Sequence, residues 1–184
     1  MKVYLLYGPQ GSGKSTQAKL LAERLNLILV SAGDISRDLA AKNETVKALV
    51  DKGEPTPQEF IVTAVNDIFR QNKEGGGFVL DGYPRYIEDV EPFAVELNAQ
   101  GWEVTKVLFL QLSEQDALQR LVLRAKKENR ADDTPDSISR RLELYHQQTQ
   151  PIIDYFRRLG KVAEVDGSGT VEEVSALIQK ALND

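Results

Sequence analysis

Apolar residues recur with two different periods along the chain. Five short runs are nearly continuous in Val, Ile, Leu, Phe and Tyr: Lys2–Tyr7, Ile28–Val30, Phe78–Leu80, Val104–Leu110 and Val162–Val165. Continuous rather than alternating apolar runs are expected of strands covered on both faces. Between them the spacing becomes helical. Ala18, Leu21, Ala22 and Leu25 share a face over Ser15–Leu25, and Ile61, Ala64, Val65 and Ile68 share one over Gln58–Phe69. A further helix is expected from near Ser113 towards Arg124, with Asp116 near its start, where an acidic side chain complements the helix dipole. Thr134 suits an N-cap, with Pro135 at the first helical position and Asp136 in the first turn. That helix carries Ile138, Leu142 and Tyr145 on one face and is expected to stop near Gly160. A last one follows Gly169-Thr170. Strands alternating with helices predict an α/β fold built on a five-stranded parallel sheet with helical crossovers.

Two stretches fit this alternation poorly. Residues 31–60 are helical in pattern but polar, with the breaker cluster Lys52-Gly53-Glu54-Pro55-Thr56-Pro57 near their end. Residues 125–134 are charged and nearly free of apolar side chains. Both are expected to run over the surface, where elements that cover a substrate tend to sit. No repeat, low-complexity tract or interdomain linker interrupts the pattern, so the 184 residues are expected to form one domain.

Composition narrows the class. Hydrophobic residues at 41% and charged residues at 28% are those of an ordinary globular chain, which excludes disordered and fibrous classes. A net charge of −5 argues against general binding to nucleic acid or anionic membrane. The absence of cysteine removes disulfides, thiolate metal sites and Cys nucleophiles, and a single His146 cannot build a histidine metal site. His146 is expected at the surface or boundary and Trp102 in the core. No apolar run approaches the ~20 residues of a membrane span, and the first run is too short for a signal peptide. A cytoplasmic, monomeric protein is expected.

The chemistry begins at Gly8-Pro9-Gln10-Gly11-Ser12-Gly13-Lys14-Ser15, which matches G-x-x-x-x-G-K-[ST] between an apolar run and a helical one. Glycines let successive backbone N–H groups turn inward around an anion, and the following helix adds its positive N-terminal end. Lys14 reaches the β- and γ-phosphates, and the Ser15 hydroxyl can ligate Mg²⁺. A Gly-rich turn that binds nothing would not need Lys-Ser at this spacing. The dinucleotide fingerprint G-x-G-x-x-G fails, because Thr16 stands where its last glycine should be. The expected ligand is a nucleoside triphosphate on a P-loop NTPase fold.

Asp81 ends an apolar run, at the strand edge where open α/β sheets bind ligands, and can hold Mg²⁺ through water. The arginines Arg37, Arg85, Arg120, Arg124, Arg130 and Arg141 suit a second role. Two phosphorylated substrates brought together repel each other, and fixed cations must offset that repulsion. Arginine's planar fork grips two phosphate oxygens and stays charged. Taken singly, each could be a solvated surface charge. No general base is needed if the attacking group is an already ionised phosphate.

Ser31-Ala32-Gly33-Asp34 with Arg37, Asp81-Gly82-Tyr83-Pro84-Arg85, and Arg130-Ala131-Asp132-Asp133 with Arg141, following this P-loop, resemble the adenylate kinase family of nucleoside-monophosphate kinases. The resemblance runs on through Tyr145, Thr149 and Pro151–Phe156 and so covers nearly the whole chain. It implies reversible, Mg²⁺-dependent transfer of the ATP γ-phosphoryl group to a nucleoside monophosphate. It divides the chain into a core (1–30, 61–124 and 135–184), a monophosphate-binding insertion (31–60) and a short lid (125–134). Gly11, Ser12, Gly13, Lys14, Ser15 and Thr16 would hold the ATP phosphates, with Arg124. Arg120 and the Asp166–Gly169 loop would lie near the adenine. Ala32, Arg37, Glu54, Pro55, Thr56, Gly82, Tyr83, Pro84, Arg85, Asp89, Arg130 and Arg141 would form the monophosphate side. Lys14, Arg85, Arg124, Arg130 and Arg141 would be catalytic.

Three features depart from the family pattern for AMP kinases. Ala32 replaces Thr or Ser, Glu54-Pro55-Thr56 replaces an apolar pair, and Asp89 replaces Gln. They leave fold and reaction type intact. AMP is the expected acceptor, with UMP or CMP, or a broad acceptor range, as the alternative. A regulatory protein that binds a nucleotide without transferring anything is the rival from another class, and it has no use for a second phosphate site. Asp89 is expected to face the acceptor base.

Overall fold

The structure, a computed structural model, describes residues 1–128 and 134–183. All five expected strands form: β1 (Lys2–Tyr7), β2 (Ile28–Ser31), β3 (Gly77–Asp81), β4 (Glu103–Gln111) and β5 (Val162–Asp166). They pair in parallel in the order β2-β3-β1-β4-β5. Their apolar runs are continuous because both faces are covered. Val3, Leu5 and Tyr7 of β1 enter one core layer with Phe78 and Leu80 of β3. Tyr4, Leu6 and Val79 enter the other, under α1 (Lys14–Leu25) and α8 (Val171–Asn183). Trp102 lies in the first layer as expected, with its ring 5.6 Å from that of Phe69 and 5.2 Å from that of Phe78.

The polar stretch after β2 folds as two short helices, α2 (Ala32–Ala40) and α3 (Glu44–Asp51), before α4 (Gln58–Gln71). Ser31 caps α2 by accepting from the Asp34 N–H, and the Asn43 side chain caps α3. One helix is not anticipated by the pattern: α5 (Val90–Ala99) buries Val90, Phe93 and Leu97 but exposes Val95. Its apolar residues therefore form no clean stripe. Beyond β4, α6 covers Glu114–Glu128 and α7 covers Pro135–Arg158. Thr134 caps α7 in a reciprocal box: its Oγ1 accepts from the Ser137 N–H at 3.2 Å, and its own N–H donates to the Ser137 Oγ at 3.0 Å. Of the expected lid (125–134), residues 125–128 continue α6 and Thr134 caps α7, while residues 129–133 lie outside the described residues.

The strand order reverses direction at β1, whose neighbours are β3 and β4. Ligands of open α/β sheets bind outside the carboxyl ends of the strands at such a point. The P-loop, Ser31, Asp81 and Gly167 all leave the sheet at that edge.

Candidate active site

The segment between β1 and α1 wraps back on itself through Gly11 and Gly13, whose φ values of 84° and 82° are left-handed. At Gly11 the reason is also steric, since a Cβ would lie 2.7 Å from the Ala117 carbonyl oxygen of α6. Gly13 starts α1 and supplies no side-chain cap. The start of α1, with its positive helix end, borders the cleft at Lys14 and Ser15.

The loop opens onto a cleft of about 440 Å³. Gly11, Gly13, Lys14, Ser15 and Thr16 line one part of it, and Arg37, Glu54, Pro55, Thr56, Asp81, Gly82, Arg85, Arg120 and Arg141 line the rest. Residues from the P-loop, the polar insertion, the end of β3, α6 and α7 thus meet in one space.

Charge is concentrated there. Desolvation lowers the pKa of Arg85 from its ordinary value, Arg141 acts in the same direction, and Tyr86 and Asp81 oppose them. Two guanidinium groups close enough to repel are held against the same cavity, and an anion between them relieves that repulsion. Arg37 is paired with Asp34 one turn away. Asp81 is 4% exposed; its Oδ2 lies 3.4 Å from the Ser31 Oγ, while Oδ1 has no hydrogen-bond partner among the described residues.

Arg120 does more than line the cleft. Its Nη1 donates to the Gly167 carbonyl at 2.8 Å and its Nη2 to the Ser168 carbonyl at 2.6 Å, bracing the loop after β5. The Asp166 carboxylate accepts from the Ser168 N–H at 2.8 Å, and its hydrogen bonds to Ser168 hold its pKa below the usual carboxylate value.

Six of the expected residues do not reach the cleft wall. Ser12, Ala32, Tyr83, Pro84 and Asp89 are buried behind it, and Gly169 sits beyond Arg120. Asp89 is neither solvent-facing nor in the cleft lining. It lies near Tyr7 and Tyr83, and desolvation raises its pKa. Glu54 lines the cleft, yet its carboxylate accepts from the Arg140 Nε at 3.0 Å. Arg130 lies outside the described residues, as does the Arg124 side chain. His146 is at the surface, 3.0 Å from Glu114.

The sequence reading missed several cleft residues, among them Tyr7, Gln10, Ser36, Gly53 and Gln148. Tyr7 belongs to a strand, and its hydroxyl donates to the Pro84 carbonyl at 2.7 Å across the Tyr83–Pro84 cis peptide. Gln10 occupies a variable position of the loop motif, and its Oε1 is buried with no partner among the described residues.

A glycine-rich P-loop that shares one cleft with Arg37, Arg85 and Arg141 fits a P-loop phosphotransferase. The sequence model of the adenylate kinase family matches residues 6–161. The chain is 35% identical to an adenylate kinase of Parabacteroides distasonis over 183 residues, covering 97% of this chain and 96% of that one. It is 38% identical to one of a Cyanothece species over 180 residues, with 95% and 92% covered, and 36% identical to one of Maricaulis maris over 184 residues, with 98% of each covered. The chain belongs to the adenylate kinase family and is a nucleoside-monophosphate kinase.

Proposed function

We propose that the chain transfers the γ-phosphoryl group of ATP reversibly to AMP, giving two ADP. One observation carries this reading: Lys14 and the P-loop share a cleft with Arg37, Arg85 and Arg141, which supports a second phosphate-binding site beside that of the donor. A nucleotide switch would need only the first. The name shared by the relatives supplies the acceptor.

An oxygen of the AMP phosphate attacks the γ-phosphorus as the bond to the β-bridging oxygen breaks. No proton has to be removed, because the attacking oxygen is already ionised. What the protein must supply is position and fixed positive charge at the equatorial oxygens. Lys14 grips the β- and γ-phosphates. Arg85 and Arg141 hold the moving group and the acceptor phosphate together, with Arg124 and Arg130 completing the set. Arg85 stays charged at neutral pH despite its desolvation. Arg37 binds the acceptor phosphate, while Arg120 and the loop it braces receive the ATP adenine.

The residues suit Mg²⁺. The unpartnered Oδ1 of Asp81 and the Ser15 hydroxyl face the same cleft, and no group of three acidic, His or Cys residues forms a protein cage among the described residues. Mg²⁺ is accordingly expected on the nucleotide phosphates, held by Ser15 and through water by Asp81, where it neutralises phosphate charge. Residues 31–60 act as the acceptor-side cover and 125–134 as the lid. The proposal extends to a cytoplasmic monomer without nucleic-acid or membrane partners. In support of the last two absences, the net charge of −5 argues against general binding to nucleic acid or anionic membrane.

A coupled assay with ATP, Mg²⁺ and each of AMP, UMP, CMP and GMP tests the assignment. AMP is expected to give the highest kcat/KM. A higher value for UMP or CMP would overturn the acceptor, and turnover without any monophosphate would overturn the reaction.

A further inference from the structure

The loop formed by Gly53, Glu54, Pro55 and Thr56 lines the side of the cleft proposed for the acceptor. Thr56 is 3% exposed, and its Oγ1 has no hydrogen-bond partner among the described residues. The loop's Gly53 and Glu54 N–H groups donate to the Val50 and Leu49 carbonyls at the end of α3, and two long-range contacts tie it to the first turns of α7. Gly53, with φ 75°, packs on Ser137 so closely that a Cβ would lie 2.7 Å from the Ser137 carbonyl oxygen and 3.1 Å from its Cβ. One residue on, the Glu54 carboxylate accepts from the Arg140 Nε at 3.0 Å, across 86 positions of sequence. Arg140 is held in turn by Glu143, at 3.3 Å from its Nη1.

Arg140 and Arg141 are adjacent, so they point about 100° apart around the helix. Arg141 faces the cleft, and Arg140 faces the outer side of the loop. We propose that Arg140 is a positioning residue, which through Glu54 holds the acceptor loop in register with Arg141. The inference rests on the reading that the acceptor binds beneath this loop. It also gives Glu54 a role other than touching the base. The Glu54 and Arg140 side chains are 34% and 43% exposed, so the pair adds little to global stability, and its effect belongs to the geometry of one loop.

The test uses Glu54→Gln, Arg140→Gln and the double variant, with KM for AMP and for ATP, kcat and thermal midpoint measured on each. Each single change is expected to raise KM for AMP about 2–5-fold, the scale of an exposed ion pair. In Arg140→Gln, KM for ATP, kcat and the midpoint should hold steady, and the double variant should raise KM for AMP no more than the worse single, because both remove the same contact. Without nucleotide, amide exchange at Gly53, Glu54 and Thr56 should be faster in Arg140→Gln than in the unaltered protein. Additive singles, equal shifts in both KM values, or unchanged exchange would each overturn the tether. Should the unaltered protein transfer nothing to AMP, the functional reading fails by itself, while the exchange comparison, which needs no nucleotide, still decides the role of Arg140.

Discussion

The proposed donor and acceptor sides of the cleft are built by opposite means. The donor side is one unbroken segment, Gly8 to Thr16, whose shape comes from left-handed glycines and the start of α1. Its anion-binding groups are largely backbone, fixed between a central strand and a helix packed on the sheet. The acceptor side draws Arg37 from α2, Thr56 from the loop before α4, Arg85 from the turn after β3 and Arg141 from α7. These are side chains on four separate elements, two of them on the polar insertion. Backbone cradles are robust to most substitutions but depend on a few. Side-chain clusters divide the work, so each member can be removed with a separate and smaller effect.

This contrast orders the expected losses. Lys14→Ala should lower kcat by ~10³-fold with the thermal midpoint unchanged, since the glycines and not the lysine shape the loop. Near-normal turnover would break the donor half of the comparison. Arg141→Ala should lower kcat by ~10²-fold, because it is one of several cations on the moving group. Arg37→Ala should mainly raise KM for AMP, by about 10-fold, the worth of one charge-assisted contact, and leave KM for ATP alone. If Arg37→Ala weakened ATP instead, the partition of the two sides would be wrong.

The smallest effect concerns Asp89. Desolvation raises its pKa, so the folded chain holds this proton more tightly than the unfolded one. Its contribution to stability is then fullest below the ordinary carboxylate pKa and is lost as pH rises through the raised value. Asp89→Asn should therefore melt slightly higher than the unaltered protein at pH 7, with the difference fading towards pH 4. A difference that grew on acidification would contradict a desolvated carboxyl. Because Asp89 stands behind the cleft wall, the same variant should leave the order of acceptors unchanged.

The two sides also differ in how readily the sequence reveals them. The P-loop is legible because its function is local: nine consecutive residues contain the turn, the charge and the helix start. The strands are legible because burial on both faces leaves unbroken apolar runs, and the start of α7 because Thr134-Pro135 is a cap and a first-turn proline together. Helix α5 escapes because Val95 is exposed while Val90, Phe93 and Leu97 are buried, which blurs the stripe. Glu54 is expected at the acceptor by correspondence with the family; it lines the cleft and also pairs with Arg140, a contact 86 positions away that no local pattern shows. Asp89 is expected at the base by correspondence with the family, whereas the fold buries it outside the cleft lining. Contacts made across tens of residues leave no local pattern to read.

The central claim is that one cleft passes a phosphoryl group directly from ATP to AMP. Incubation with ATP labelled at the γ-phosphorus, Mg²⁺ and AMP, followed by separation of the products, tests it without coupling enzymes. The account predicts label in ADP, formed only when AMP is present, and the reverse formation of ATP and AMP from ADP alone. Label released as inorganic phosphate at a rate indifferent to AMP would contradict it.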